Sequence, residues 1–186
     1  RTRIWQDVDH DRCGVVPHLM DPDFGFARYA ENVLTKPQIT AWRTGRVKAV
    51  GSKTAPELYA AHLSQREAAQ ILSNFFYDVR LKSRIELRAA DSMPPRYIAA
   101  YAQLVKSVFG SPAALQNVLR HYAGITTLDI TTAKLAVCKD GFNALAYGKP
   151  ISSELTWLLM QARSRTPSQE ERAQLDPFMA LVMKRK

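Results

Sequence analysis

Apolar and polar residues alternate strictly from Val79 to Ala90, which is the clearest periodic pattern in the chain. A period of two is typical of a strand, because successive side chains then point to opposite faces. We therefore predict one strand over residues 79–90. Its apolar face should be buried, whereas Arg80 and Lys82 should face a cleft or another chain. The buried side chains should include Leu81, Ile85 and Leu87.

After this segment, apolar residues recur every three or four positions, which is the spacing of amphipathic helices. These stripes lie in residues 98–109, 115–122, 135–145, 155–162 and 175–182. Gly110 should end the first helix, and Ser111-Pro112 should open the second, since proline suits the first helical position. The carboxy-terminal half is therefore predicted to be helical.

Shorter elements are predicted before Val79. They are a strand over 1–6, a helix over 24–34, and a hairpin of 38–43 with 46–50. Thr44-Gly45 is the kind of two-residue, glycine-containing turn that joins hairpin strands. Capping boxes should open two further helices, at Thr54 with Glu57 and at Ser64 with Glu67. The predicted fold class is α+β, mostly helical with a few strands.

Composition and charge narrow the choice of partners. The net charge of +9 suits nucleic acid, a membrane surface or a polyanionic substrate such as ATP. No apolar run reaches the roughly 18 residues of a membrane span, and no signal-peptide pattern opens the chain. The aromatic residues do not interleave with basic ones as in nucleic-acid modules.

The cysteines bear on the compartment. Cys13 and Cys138 are too few for a disulfide framework, and reduced thiols are typical of a cytoplasmic protein. A targeting segment upstream of Arg1 would lie outside this sequence. We expect a cytoplasmic protein that binds neither a membrane nor nucleic acid.

The polar face of the predicted 79–90 strand carries the strongest candidate chemistry. Four cations and one acid would share it: Arg80, Lys82, Arg84, Glu86 and Arg88. A polyphosphate with its magnesium would relieve the repulsion between these cations, because arginine binds phosphate oxygens and a carboxylate is a hard ligand for Mg²⁺. The candidate phosphate-binding residues are Arg80, Lys82 and Arg88, and the candidate metal ligand is Glu86. The alternative is a solvated basic face, in a non-enzymatic module that binds nucleic acid or an acidic partner.

Two stretches of the chain contain further motifs. The first is RTRIWQDVDHDRCGVVP (1–17) followed by DFGFARYAENVL (23–34). It resembles a segment of the glutamate–cysteine ligases of plants and bacteria that reads roughly Met-Arg-Ser-x-Ile-Trp, then Thr-Asp-x-Asp-x-Asp-Arg-Thr-Gly, then an Asp-Phe-Gly-Phe helix. The second, FYDVRLKSRIELRAADSMP (76–94), resembles the family's Phe-Pro-Glu-Val-Arg-Leu-Lys-x-Tyr-Leu-Glu-x-Arg-x-Ala-Asp. The blocks stand in the family's order, although Cys13 replaces its usual threonine.

The resemblance implies an enzyme that uses ATP to join the γ-carboxyl of L-glutamate to L-cysteine through γ-glutamyl phosphate, the first step of glutathione biosynthesis. It implies that Glu86 binds Mg²⁺ and that Arg88, as the catalytic residue, contacts ATP phosphate or the acyl phosphate. Arg1 would hold an amino-acid carboxylate, and Trp5 and Arg12 would line the substrate site. A related carboxylate–amine ligase with another amine substrate is the alternative.

The resemblance also implies that residues 1–186 are the carboxy-terminal part of a single catalytic domain, with a glutamine-synthetase-like carboxylate–amine ligase fold. Residues 1–94 would be the strand-containing part of the active site, and residues 95–186 a helical part. Family members are longer, and their other magnesium-binding acids lie upstream of Arg1. The rest of the parent ligase is therefore an expected partner, and the isolated chain is expected to be inactive.

Overall fold

The computed structural model describes residues 1–59 and 62–184. The chain forms two compact units, Arg1–Ala90 and Asp91–Lys186. Helices dominate, and the strands form small two-stranded sheets. This mixture confirms the predicted α+β class. None of the helices in the described parts of the chain has the length and apolar character that crossing a membrane requires.

The first unit mixes both kinds of element. Its helices are α1 (Thr2–Val8), α2 (Phe26–Leu34), α3 (Ala55–Leu58) and α4 (Gln65–Ser73). Its strands are β1 (Cys13–Gly14), β2 (Thr40–Arg43), β3 (Arg46–Ala49), β4 (Phe76–Tyr77), β5 (Val79–Leu81) and β6 (Ile85–Leu87). The pairs β2–β3 and β5–β6 are antiparallel, whereas β1 pairs with β4 in parallel and places Cys13 opposite Phe76.

The core of the first unit contains Phe75 and Tyr77, which are 0% and 1% exposed. Beside them, the buried Asn74 amide donates to Gln38 Oε1 at 3.0 Å and to Thr40 O at 2.8 Å. Its side-chain oxygen accepts from Thr40 N at 3.0 Å. These bonds satisfy buried polar groups and fasten β2 to the end of α4.

The hairpin turn and the two capping boxes predicted for the first unit are present in the structure. The β2–β3 hairpin turns at Thr44 and Gly45, both with positive φ (49° and 77°), which glycine adopts without steric cost. Both capping boxes form. The Glu67 carboxylate, for example, accepts from Ser64 N at 2.9 Å and from Ser64 Oγ at 2.7 Å.

The second unit is mainly helical. Its helices are α5 (Pro95–Phe109), α6 (Pro112–His121), α7 (Thr127–Asp140), a 3₁₀ helix (Gly141–Asn143), α8 (Ile151–Ser164), α9 (Gln169–Ala173) and α10 (Asp176–Met183). A small hairpin, β7 (Leu145–Ala146) with β8 (Lys149–Pro150), was not predicted. The helix expected to continue through Leu145 ends at Asp140, because Gly141 takes a positive φ of 57°.

The predicted strand over residues 1–6 is wrong, because α1 begins at Thr2 and its first turn closes with Trp5 N donating to Arg1 O at 3.1 Å. The segment is too short for its own pattern to separate strand from helix.

The predicted single strand over 79–90 is also wrong. It is a hairpin of two three-residue strands, bent at residues 82–84, where Lys82 N donates to Arg84 O at 2.9 Å. The alternation continues through the bend, so the sequence pattern carries no sign of the reversal. The five polar residues therefore do not share one strand face, and Arg84 lies exposed in the bend.

The burial predicted for this segment fails as well. Ile85 is 66% exposed, and Leu81 and Leu87 are half-buried. Arg80, expected to face a cleft, is instead buried. Two short strands cover little surface, and the buried arginine has a partner directly across the hairpin.

Candidate active site

An ion pair crosses the β5–β6 hairpin. Arg80 lies opposite Glu86 in the strand register, so both side chains project from the same face. Arg80 Nε and Nη2 donate to Glu86 Oε2 at 2.9 and 2.6 Å. Arg80 Nη1 donates to the carbonyl oxygen of Phe75 at 3.1 Å. The hydrogen bonds from Arg80, more than any other interaction, hold the pKa of Glu86 below its usual range.

Arg88, the residue directly after β6, forms an ion pair with the same carboxylate, that of Glu86. Its Nη1 is 3.6 Å from Glu86 Oε2, and its guanidinium lies over the Phe76 ring, 5.8 Å from the centroid. Arg88 Nε is buried and has no hydrogen-bond partner in the described parts of the chain. Burial lowers the pKa of Arg88, and the neighbouring charges of Arg80 and Arg1 lower it further.

The first helix packs against this hairpin region through aromatic rings. Trp5 stacks on Phe76, with ring centroids 5.2 Å apart and planes 15° apart. The guanidinium of Arg1 lies 5.3 Å from the centroid of the Trp5 ring. The parallel pairing of β1 with β4 makes this contact possible, because it brings the start of the chain alongside residues 76–77.

The structure thus brings together four residues that the sequence proposed separately: Arg1, Trp5, Glu86 and Arg88. With Arg80 and Phe76 they form what we call the arginine cluster. Sequence reasoning missed Phe76 as a site residue. The available signal was its position at the start of the second family-like block, directly before the hairpin.

Two further predicted site residues lie around the cluster. Lys82 is half-buried in the bend and helps to lower the pKa of Glu86. Arg12 is engaged in its own loop, where it forms an ion pair with Asp9 and donates from Nη1 to Pro37 O at 2.7 Å. Its terminal nitrogens are therefore engaged, although Arg12 Nε, like Arg88 Nε, is buried without a hydrogen-bond partner among the described residues.

The arginine cluster carries more positive than negative charge, since it contains three arginines and one glutamate. Glu86 is the one carboxylate among the residues of the cluster, beside three arginines, and it pairs with Arg80 and Arg88. Burial is the main cause of the lowered pKa of Arg88, and repulsion by Arg80 and Arg1 adds to it. A phosphate or carboxylate group would relieve that repulsion and supply an acceptor for buried donors. Such binding does not require the ion pairs with Glu86 to break, since Arg88 Nε has no hydrogen-bond partner among the described residues.

The other face of the hairpin is apolar. Val79, Leu81 and Ile85 line a groove of about 280 Å³ together with Val16, Leu19, Phe24, Gly25, Phe26 and Tyr29. Tyr29 also makes a polar contact here. Its hydroxyl oxygen accepts a hydrogen bond from Leu81 N at 3.0 Å, which ties α2 to β5. The hairpin is thus held from both sides.

A family model for glutamate-cysteine ligase family 2 matches residues 1–174, which is most of the chain. The chain belongs to this family. The match confirms the resemblance drawn from the two sequence blocks, and it spans both structural units.

Individual relatives agree with the family match. The chain is 31% identical over 127 residues to a glutamate–cysteine ligase of Brassica juncea and 30% identical to one of Arabidopsis thaliana. Each alignment covers 64% of this chain, but 25% and 24% of those ligases. A third ligase, from Medicago truncatula, is 29% identical over the same length. The chain therefore spans about a quarter of the length of the curated relatives it matches.

The predicted cytoplasmic location is contradicted by these relatives, which are named as chloroplastic ligases. The prediction rested on cysteine content. A low cysteine count indicates a reducing environment and does not identify the compartment that provides it.

The family resemblance implies bound Mg²⁺, and the surroundings of Glu86 show whether this residue suits the role of a metal ligand. All three contacts that Glu86 makes with Arg80 and Arg88 use Oε2, so none of them involves the other carboxylate oxygen, Oε1. No group of three or more His, Cys, Asp or Glu in the described residues could hold a metal. Mg²⁺ commonly takes one or two carboxylates and completes its shell with water and phosphate. Glu86 fits as one such ligand beside a polyphosphate.

Proposed function

We propose that this chain forms part of the active site of an ATP-dependent glutamate–cysteine ligase. In the first step, the γ-phosphoryl group of ATP passes to the γ-carboxylate of L-glutamate, which releases ADP. In the second, the amine of L-cysteine attacks the acyl carbon of γ-glutamyl phosphate and displaces inorganic phosphate. The product, γ-glutamylcysteine, is the first intermediate of glutathione biosynthesis.

The observation that carries this proposal is Arg88, a half-buried residue whose buried Nε has no hydrogen-bond partner among the described residues and whose charge is close to those of Arg80 and Arg1. A buried donor without an acceptor costs free energy, which a phosphate oxygen would recover. Charge on a transferring phosphoryl group is spread over its oxygens, so cations already in place lower the barrier. We assign Arg88 to that group as the catalytic residue. Lys82, in the adjacent bend, is the second phosphate-binding residue.

The substrate amino acid is assigned to the α1 side of the arginine cluster. Arg1 is close enough to Arg88 to lower its pKa, so a carboxylate held by Arg1 would lie near the phosphoryl group. Trp5 supplies an aromatic wall beneath Arg1. Arg12 has a smaller role, because Asp9 and Pro37 already take its terminal nitrogens.

Glu86 is the proposed ligand of Mg²⁺. When bound, Mg²⁺ neutralises charge on the ATP phosphates. The guanidinium groups of Arg80 and Arg88 repel a bare divalent cation, so Glu86 is suited to a metal that arrives together with the nucleotide. The remaining ligands would come from the nucleotide, from water and from the rest of the ligase.

The whole catalytic domain is larger than this chain. We place residues 1–186 in its carboxy-terminal part, in a glutamine-synthetase-like carboxylate–amine ligase fold. Residues 1–94 carry the active-site elements and residues 95–186 the helical part. The other substrate-binding and metal-binding groups belong to the rest of the parent ligase.

The test uses the intact ligase that carries this chain. Phosphate release should require ATP, glutamate and cysteine together, and Arg88→Lys should lower turnover at least about 10²-fold, because lysine lacks the planar fork. Arg84→Lys is the matched control on the same hairpin, since Arg84 is exposed, and it should stay near wild type. Release with another amine but not with cysteine would identify a related ligase.

A thermal-shift experiment separates the enzyme from a basic binding module. ATP–Mg with glutamate should raise the melting temperature of the intact ligase. Protection by nucleic acid, with none by ATP–Mg and glutamate, would overturn the proposed function.

A further inference from the structure

Each of the three guanidinium nitrogens of Arg80 already donates a hydrogen bond within the first unit. Nε and Nη2 donate to Glu86 Oε2, and Nη1 donates to Phe75 O. Its side chain is 11% exposed. The acceptor carbonyl belongs to Phe75, which is 0% exposed in the core of the first unit. Arg80 therefore connects the carboxylate of Glu86 to the buried core of that unit.

We propose that Arg80 is a positioning residue, which holds Glu86 and does not touch the nucleotide. The proposal rests on the function proposed above and replaces the phosphate-binding role that the sequence suggested for Arg80. Arg80 acts on two neighbours. It fixes Glu86 by one oxygen, so that the other is presented to the metal, and it keeps Glu86 from pairing more closely with Arg88.

The distances support this division of roles. Glu86 Oε2 lies 2.6 and 2.9 Å from Arg80 nitrogens but 3.6 Å from Arg88 Nη1. Short charge-assisted bonds outcompete the longer ion pair for the same oxygen. Without Arg80, the Glu86 side chain is free to rotate and form a close pair with Arg88. The metal ligand and the phosphate-binding charge would then neutralise each other.

The experiment measures binding of a non-hydrolysable ATP analogue to the intact ligase by calorimetry, with and without Mg²⁺. The variants are Arg80→Met, which removes every donor, and Arg80→Lys, which keeps one charged donor. Arg80→Met should weaken binding of the magnesium complex about tenfold or more, because partners that orient metal ligands typically contribute this much. Binding of the metal-free analogue should not weaken. Arg80→Lys should weaken binding of the magnesium complex less than Arg80→Met does.

A double-mutant cycle adds the decisive arm. In a Glu86→Gln background, Arg80→Met should have no further effect on the magnesium complex, because its effect passes through Glu86. Arg84→Met, in the exposed bend, is the control and should bind like wild type. If Arg80→Met does not fold, judged by its melting curve, Arg80→Lys in both backgrounds carries the same comparison.

Two results would overturn the positioning role. Equal weakening of the metal-free analogue would make Arg80 a direct phosphate ligand, and additive effects of Arg80 and Glu86 variants would remove the coupling. The wild-type assay separates this failure from that of the proposed function. A wild-type protein without ATP-, glutamate- and cysteine-dependent phosphate release overturns both, whereas ligation with additive variants overturns only the role of Arg80.

Discussion

The ring of Trp5 lies on the ring of Phe76, 5.2 Å between centroids, and so joins α1 to β4 although the two residues are distant in sequence. Arg1 lies over the first ring and Arg88 over the second. The stack therefore links the α1 side of the arginine cluster, where Arg1 lies, to the hairpin side, where Arg88 lies.

Removal of this stack should destabilise the first unit. Phe76→Leu keeps an apolar side chain but loses the aromatic pair, and we expect a loss of about 1 kcal/mol in the free energy of unfolding. Urea denaturation followed by circular dichroism measures it. Phe26→Leu is the control, since Phe26 is 80% exposed and should change stability little. Equal losses for both variants would mean that the stack contributes nothing specific.

Glu86→Gln in the intact ligase should raise the Mg²⁺ concentration needed for half-maximal turnover at least about tenfold, because the amide removes the charge that a hard cation prefers. Excess Mg²⁺ should restore part of the activity. Arg88→Lys gives the contrast, because added Mg²⁺ should not help it. A magnesium titration that is unchanged in Glu86→Gln would exclude Glu86 as a metal ligand.

The isolated 186-residue chain should not catalyse ligation. Its described residues offer one candidate metal ligand in the arginine cluster, and one carboxylate with a few arginines cannot align ATP with glutamate. Phosphate release from the purified chain, measured with and without glutamate and cysteine, is the check. Turnover that depends on both amino acids would contradict this expectation.

A buried carboxylate makes the second unit sensitive to acid. Glu154 is 5% exposed, with His121 Nε2 at 2.9 Å from Oε2 and Lys149 Nζ at 3.5 Å from Oε1. Burial by itself would raise the pKa of Glu154, but the hydrogen bond and charge of His121 and the charge of Lys149 outweigh it and leave the pKa below its usual range. Ionised Glu154 therefore stabilises the fold above the usual glutamate pKa, and this contribution is lost as pH falls through the lowered pKa.

Glu154→Gln should accordingly lower the free energy of unfolding by about 2 kcal/mol at neutral pH. The difference from wild type should shrink on acidification, which urea denaturation at a series of pH values would reveal. Glu170→Gln, at an exposed position in α9, should show neither effect. A difference that grows as the pH falls would refute the assigned direction of the pKa shift.

Local signals explain why part of the fold was predictable. The hairpin turn has positive φ at Thr44 and Gly45, which glycine favours. The capping box of Ser64 and Glu67 needs contacts only within one helical turn. Such features depend on neighbours in sequence, so the sequence pattern contains them. The break of the 79–90 segment is different, because the same alternation suits one long strand and two short ones.

The amino-acid sequence alone determined the family, the mainly helical character of residues 95–183, and which charged residues are candidates for the site. Their roles relative to one another were decided by tertiary structure. The pairing of β1 with β4 sets Trp5 on Phe76 and brings Arg1 towards Arg88, and the bend at 82–84 turns Arg80 onto Glu86. These contacts join residues that are distant along the chain or lie across a reversal, and hydrophobic periodicity describes only one element at a time.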